Sequence, residues 1–142
     1  MKFRNATMED ASLLFYWRND PETRQNSNNS RVITFPEHLL WLRASLDNPN
    51  RQLMIAEVNM RPVGTIRADS NSDGIELSWT VAPICRNQGV GKQMVMQFAA
   101  TISGLVYANI KETNLASIRI AQATKMQLQY IQDGLMRWEQ HG

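Results

Sequence analysis

The sequence predicts a mixed α/β fold, with helices over a mostly antiparallel sheet and elements in the order β-α-α-β-β-β-α-β-α-β-β. Three observations predict it. Ile75, Leu77, Trp79 and Val81 alternate with Glu76, Ser78 and Thr80, the period of a strand with two unlike faces. Val90, Met94, Phe98 and Ile102 recur every fourth residue, with Val95 and Ala99 beside them, an apolar helical stripe about 100° wide. The strand patterns before this helix are joined by short turns. The pattern after it lies across the whole helix, which makes that one pairing parallel.

Lys2 to Ala6 forms the first strand, with Phe3 inward. Thr7 caps the helix that follows, and Glu9 and Asp10 sit in its first turn, where the helix dipole favours acids. Ala11, Leu14, Phe15 and Arg18 share one face of this helix. It ends near Asn19-Asp20-Pro21, because the residue before a proline is pushed out of the helical region. A shorter helical piece runs from Pro21 to Asn26, and Gln25 to Arg31 is polar and rich in turn formers. Phe35 opens the second long helix with Pro36 at its first position. Leu39, Leu42 and Leu46 form its buried stripe, with Trp41 near the edge.

Arg51 to Asn59 is a strand with Leu53 and Ile55 inward, and Pro62 to Ala68 is the next, with Val63 and Ile66 apolar. Asp69 to Gly74 reads as a hairpin loop returning the chain to the strand that ends at Val81. Pro83 opens a turn, since it has no amide hydrogen to give a sheet, and a helix begins at Gly89 and closes at Ser103-Gly104. Leu105 to Ile110 is the parallel strand. Asn114 or Thr113 caps a helix from Leu115 to about Thr124. Gln127 to Gln132 and Leu135 to Glu139 form a hairpin around Asp133-Gly134, and His141-Gly142 frays.

At 142 residues the chain reads as one domain, 1–142, long enough to bury roughly two-thirds of its unfolded surface. A net charge of +2, from 15 basic and 13 acidic residues, is too balanced for a nucleic-acid binder. No apolar run approaches the roughly 20 residues that span a bilayer. No signal-peptide pattern opens the chain, and no Cys/His cluster has metal spacing. The single cysteine, Cys85, makes no internal disulfide. These features point to a cytoplasmic protein.

The turn between Val81 and the Gly89 helix is the strongest functional signal. The first amides of a helix have no partner inside it, and the dipole adds positive potential there. Gly89 and Gly91 leave those amides open to an anion, and Arg86 and Lys92 add full charges. A phosphate-binding P-loop needs a glycine where Arg86 stands and a Ser/Thr where Gln93 stands. A dinucleotide fingerprint needs a third glycine, which is missing, and an acid about twenty residues on, where Ile110 and Lys111 stand. The pattern Arg86-x-x-Gly89-x-Gly91, preceded by Trp79-Thr80-Val81-x-Pro83, resembles the coenzyme A pyrophosphate loop of the GNAT N-acetyltransferase superfamily. The element order resembles the GNAT fold over essentially the whole chain. Trp17-Arg18-Asn19-Asp20, with His38 and Trp41, looks most like the branch that acetylates nucleotide-linked 4-amino sugars, and next like the ribosomal-protein N-terminal acetyltransferases.

The resemblance implies acetyl transfer from acetyl-CoA to a primary amine. The favoured acceptor is a nucleotide-linked 4-amino sugar, and the alternative is a peptide N-terminus. Trp79, Thr80 and Val81 would line the pantetheine, with the Val81 amide opposing the charge on the thioester oxygen. Arg86, Asn87, Gln88, Gly89, Val90, Gly91 and Lys92 would hold the pyrophosphate. Asn114 and Ser117 would touch the pantetheine or cap their helix. Glu76 is the first candidate base, or else a paired surface carboxylate. His38 is the second, or else a helix-surface or capping histidine. Gln25–Arg31 would be either acceptor rim or solvated loop. Many family members carry a tyrosine acid where this chain has Ala121. Tyr107 and Tyr130 could substitute but sit in strand patterns that suit core packing. The missing acid leaves open a degenerate module that binds coenzyme A in an interaction role. The edges of the C-terminal hairpin would suit a homodimer.

Overall fold

A computed structural model of the chain describes residues 1–27 and 29–141. Asn28, within the polar loop, and Gly142, expected to fray, lie outside the described residues. Seven strands form one sheet in the order β1-β2-β3-β4-β5-β7-β6. They are β1 Lys2–Asn5, β2 Arg51–Val58, β3 Arg61–Asn71, β4 Gly74–Val81, β5 Leu105–Lys111, β6 Gln127–Gln132 and β7 Leu135–His141. The helices are α1 Ala11–Asn19, α2 Pro21–Gln25, α3 Phe35–Asp47, α4 Val90–Ala99 and α5 Leu115–Ala123. Every strand pair is antiparallel except β4 with β5.

Alternation along the strands divides the core in two. Leu53 and Ile55 of β2 pack with Leu14 and Trp17 of α1 and Leu42 of α3. On the other face Met54, Ile66, Leu77, Val106 and Trp138 pack with Met94, Val95 and Phe98 of α4 and with Ala121 of α5. Cys85 touches both groups from the turn between β4 and α4. At the N-terminal end, Thr7 and Asp10 form a reciprocal capping box. Arg4 then joins Asp10 (2.8 Å) to Glu57 of β2 (3.1 Å), and its hydrogen bonds hold the Asp10 carboxyl below its ordinary value.

Five local expectations change. Thr7 caps a 3-10 turn, Met8–Asp10, and α1 starts only at Ala11. The loop expected over Asp69–Gly74 shrinks to Ser72-Asp73, because Asp69–Asn71 stay paired with Gly74–Glu76. Asp69 is held there by Arg51 and Arg67, and Gly74 turns the chain at φ +138°. The helix after the glycine turn ends at Ala99, with Ile102 packed on the core from beyond its end. His141 does not fray but pairs with Leu105. Tyr130, read as core, is 53% exposed on a strand with no buried residue.

Candidate active site

The site opens where β4 and β5 part. The two strands pair only at Ile75–Val106 and Glu76–Tyr107. From Leu77 to Val81, β4 keeps its β3 partners, out to Gly64–Val81, but has none on β5. Ala82 donates to the Val63 carbonyl (2.8 Å). Since bonded and non-bonded pairs alternate along an antiparallel ladder, the Val81 and Trp79 amides turn away from β3 and into the gap. The indole of Trp79 crosses it and donates to Ser117 of α5 (3.1 Å). Asn114 caps α5 by accepting from the Ser117 amide (3.2 Å).

Two cavities meet along this gap, sharing Trp79, Thr80, Asn114 and Ser117. The first, of about 440 Å³, runs over the turn and the start of α4, and Val81, Arg86, Asn87, Gly89, Gly91 and Lys92 line it. Gly89 is the N-cap residue at φ +76°, and no side chain caps this end. The first bond into α4 runs from the Gln93 amide to the Gly89 carbonyl (3.1 Å), which leaves the Val90, Gly91 and Lys92 amides without partners in the helix. The two glycines are needed for different reasons. A Cβ on Gly89 would meet nothing within 4 Å, so the left-handed backbone is what calls for glycine there. A Cβ on Gly91 would lie 2.5 Å from Ile120 Cδ1 and 3.1 Å from Val81 Cγ2, so the absent side chain lets α4 close on β4 and α5.

Arg86 lines this cavity, but its guanidinium is committed to Asp20 (2.5 Å) and Glu22 (2.8 Å) of the α1–α2 corner. Burial works to raise the Asp20 carboxyl, and the hydrogen bonds from Arg86 and Thr23 outweigh it, holding the carboxyl low. Lys92 and Arg119 are exposed on the cavity wall. Arg119 is a cation that periodicity did not single out.

The second cavity, of about 370 Å³, lies between α1, α3 and the sheet face that carries Thr65, Arg67, Ser78 and Thr80. Asn26, Ser27, Asn29 and Arg31 of the polar loop border it, along with Arg18 and Arg24. Asn19 pins the loop's far end, exchanging two hydrogen bonds with Ile33 (2.8 and 3.0 Å). His38 also lines this cavity and overturns both of its surface readings, being fully buried among Phe15, Phe35 and Trp41. Burial, helped by the nearby Arg18 charge, pushes the imidazole below its ordinary value, against a small opposing pull from the Ala11 backbone. Neither ring nitrogen makes a full hydrogen bond.

Glu76 lines neither cavity. It sits where β4 and β5 still pair, and its carboxylate accepts from Asn109 (3.1 Å), which does line the second cavity. Tyr107 accepts from Asn71 (2.6 Å) under the Arg137 guanidinium, away from both cavities. Ala121 is fully buried. Of the arginines on this cavity, Arg31 falls within the polar loop already singled out, Arg24 and Arg67 carry no sequence signal, and Arg18 falls on the apolar face of its helix, an unusual place for a charge.

A family model described as "Acetyltransferase (GNAT) domain" matches residues 1–127. No curated protein matches the sequence. Solved structures with similar coordinates include the aminoglycoside acetyltransferase AAC(6')-Ib in complex with coenzyme A, at 15% identity, with 99% of this chain and 94% of that one covered and a TM-score of 0.82. A ribosomal-protein-alanine N-acetyltransferase from Brucella melitensis is 18% identical, with 99% of each chain covered and a TM-score of 0.75. The putative acetyltransferase yncA from Salmonella typhimurium, solved with acetyl-CoA, is 18% identical, with 99% and 93% covered and a TM-score of 0.75.

Proposed function

Because the chain belongs to the GNAT acetyltransferase family, whose co-substrate is acetyl-CoA, we propose that it moves the acetyl group to the primary amine of a nucleotide-linked 4-amino sugar. The observation that carries the transfer is the parting of β4 from β5, with the Val81 amide turned into the gap beside an uncapped helix start. In this reading the pyrophosphate rests on the Val90, Gly91 and Lys92 amides, with Lys92 and Arg119 adding charge. The pantetheine runs along Trp79–Val81, past Asn114 and Ser117. The acetyl group reaches the boundary between the two cavities, and the amine arrives through the second.

The amine nitrogen attacks the thioester carbon, and the Val81 amide opposes the charge that develops on the oxygen. The C–N bond forms, the C–S bond breaks, and coenzyme A leaves as thiolate. The amine proton passes to water in the second cavity, and Glu76 receives it through solvent beyond Asn109. Placing the two reactants side by side supplies most of the acceleration. The polar loop is the acceptor rim, in a cytoplasmic enzyme. A peptide N-terminus is the second acceptor. An interaction module that only binds coenzyme A is the reading that the buried Ala121 favours, since no tyrosine can be presented there.

Calorimetry with acetyl-CoA tests the coenzyme site. Wild type should bind in the micromolar range. Gly89→Asp should lose that binding while keeping its fold, because it places a carboxylate where the phosphates rest. A folded wild type that ignores acetyl-CoA would end this reading. Thiol release above background with any amine would end the interaction-module alternative.

A further inference from the structure

The second cavity carries charges that the transfer chemistry does not call for. Four arginines line it, Arg18, Arg24, Arg31 and Arg67, and among the described residues no Asp, Glu or Lys does. Arg31 is matched by Glu37 (2.6 Å), and Arg67 by Asp69 (3.1 Å), which also serves Arg51 (2.7 Å). Among the described residues Arg24 has only the backbone carbonyls of Asn19 and Ser30. Arg18 is the least satisfied. Its guanidinium lies over the Trp41 ring, 4.7 Å from the centroid, and its Nη1 is buried without a hydrogen-bond partner among the described residues.

A buried donor on a charged group is costly to leave unmade, and supplying its partner recovers more than a neutral hydrogen bond would. Burial, with Arg67 and Arg31 close by, pushes the Arg18 guanidinium below its ordinary value. Burial does the same to Arg67 despite Asp69. Both groups would be relieved by one negative charge placed between them.

Resting on the reading of this cavity as the acceptor site, we infer that its acceptor is a primary amine that also carries an anionic group, phosphoryl or carboxylate, and that Arg18 and Arg67 hold that group. The selection works in both directions. An acceptor with several positive charges is repelled from a cavity that four arginines line, with acidic partners for Arg31 and Arg67 but, among the described residues, none for Arg18 or Arg24. An acceptor with an anion is drawn in, and its amine then lies in a positive field that favours the neutral, nucleophilic form. This assists deprotonation where no carboxylate touches the cavity.

The test uses the full chain saturated with coenzyme A, so that no probe enters the coenzyme groove. Calorimetric titrations compare a nucleoside diphosphate 4-amino sugar, the same amino sugar without the nucleotide, an amino uronic acid and kanamycin. The nucleotide sugar or the uronic acid should bind at least about 10-fold tighter than the bare amino sugar, with kanamycin weakest, and which of the two wins separates phosphoryl from carboxylate recognition. Arg18→Gln should weaken the anionic probe roughly 10- to 100-fold, Arg18→Lys should keep part of the affinity, and Arg67→Gln should repeat the loss in a second background. Melting curves check that each variant folds. Equal affinity for charged and bare sugars, no binding of either anionic probe, kanamycin bound as tightly, or full affinity in folded Arg18→Gln would each overturn the inference. Acetyl-CoA binding and thiol release would still leave the transferase reading standing in those cases, whereas failure to bind acetyl-CoA would remove both.

Discussion

A neutral imidazole in an aromatic box should leave a mark on stability. His38 has no accessible surface, and it packs on Phe15 at 5.5 Å and on Trp41 at 5.8 Å. Its folded pKa is lowered, by burial first and by Arg18 second. The unfolded chain therefore binds a proton that the native one refuses. The contribution of His38 is complete above its ordinary value of 6.5 and is lost as the pH falls from there toward the lowered native value. The melting temperature of wild type should drop between about pH 7.5 and 5.5, and His38→Leu should flatten that part of the curve. Parallel curves for the two proteins would place the acid sensitivity elsewhere. From sequence alone this residue reads as a surface or proton-transfer histidine, because Leu39, Leu42 and Leu46 mark the apolar stripe of its helix. The buried positions are His38, Leu42 and Ser45, a stripe that the polarity of two of its members hides from any hydrophobic count.

Among the elements, the short helix α2 borders both cavities through Thr23, and four consecutive residues before it set its place. Trp17 is buried on the core side of α1, Arg18 lines the second cavity, Asn19 pins Ile33, and Asp20 caps α2 while meeting Arg86. Strands and long helices were legible beforehand, because alternation and the fourfold recurrence report directly which side is apolar. The break at Asn19-Asp20-Pro21 and the short helix after it are legible as well, but what fixes this corner in place is not, since its bonds cross from Asp20 to Arg86 and from Asn19 to Ile33, and no local periodicity records such pairs. The same holds for Arg86, whose spacing from Gly89 suggested a phosphate contact and whose guanidinium is already occupied. If Arg86 acts as a strut, Arg86→Ala should cost on the order of 1 kcal/mol locally. Hydrogen exchange of the Arg24, Asn26 and Ser27 amides, which bond to Asp20, Glu22 and Arg24, should quicken several-fold. Acetyl-CoA affinity should fall less than about 10-fold. A fall beyond about 100-fold with unchanged exchange would instead place the guanidinium on the pyrophosphate.

At the scale of the whole molecule, the sheet sets the proposed base, Glu76, apart from the proposed oxyanion donor, the Val81 amide. Glu76 and Val81 lie on the same strand, five residues and so about 16 Å apart along it. β4 and β5 close around the first and open around the second. A carboxylate at the closed end cannot touch an amine at the open end. At the position of the family's tyrosine acid, Ala121 is buried against the α4 side of the core, where a phenol would overpack α5 rather than reach sulfur. Under the proposed mechanism the fold provides the electrostatics and the alignment, while solvent carries protons in and out. A base in direct contact contributes roughly 10²- to 10⁴-fold, so Glu76→Gln should lower kcat by less than about 10-fold. The pH profile of kcat/KM should rise with ionisation of the acceptor amine and level off, because no positioned acid is lost at high pH. A drop of 10²-fold or more in Glu76→Gln, with the rising limb displaced, would mean that the strands rearrange on binding and bring this carboxylate to the amine. In that case proton transfer would belong to the protein and not to the water in its cavity.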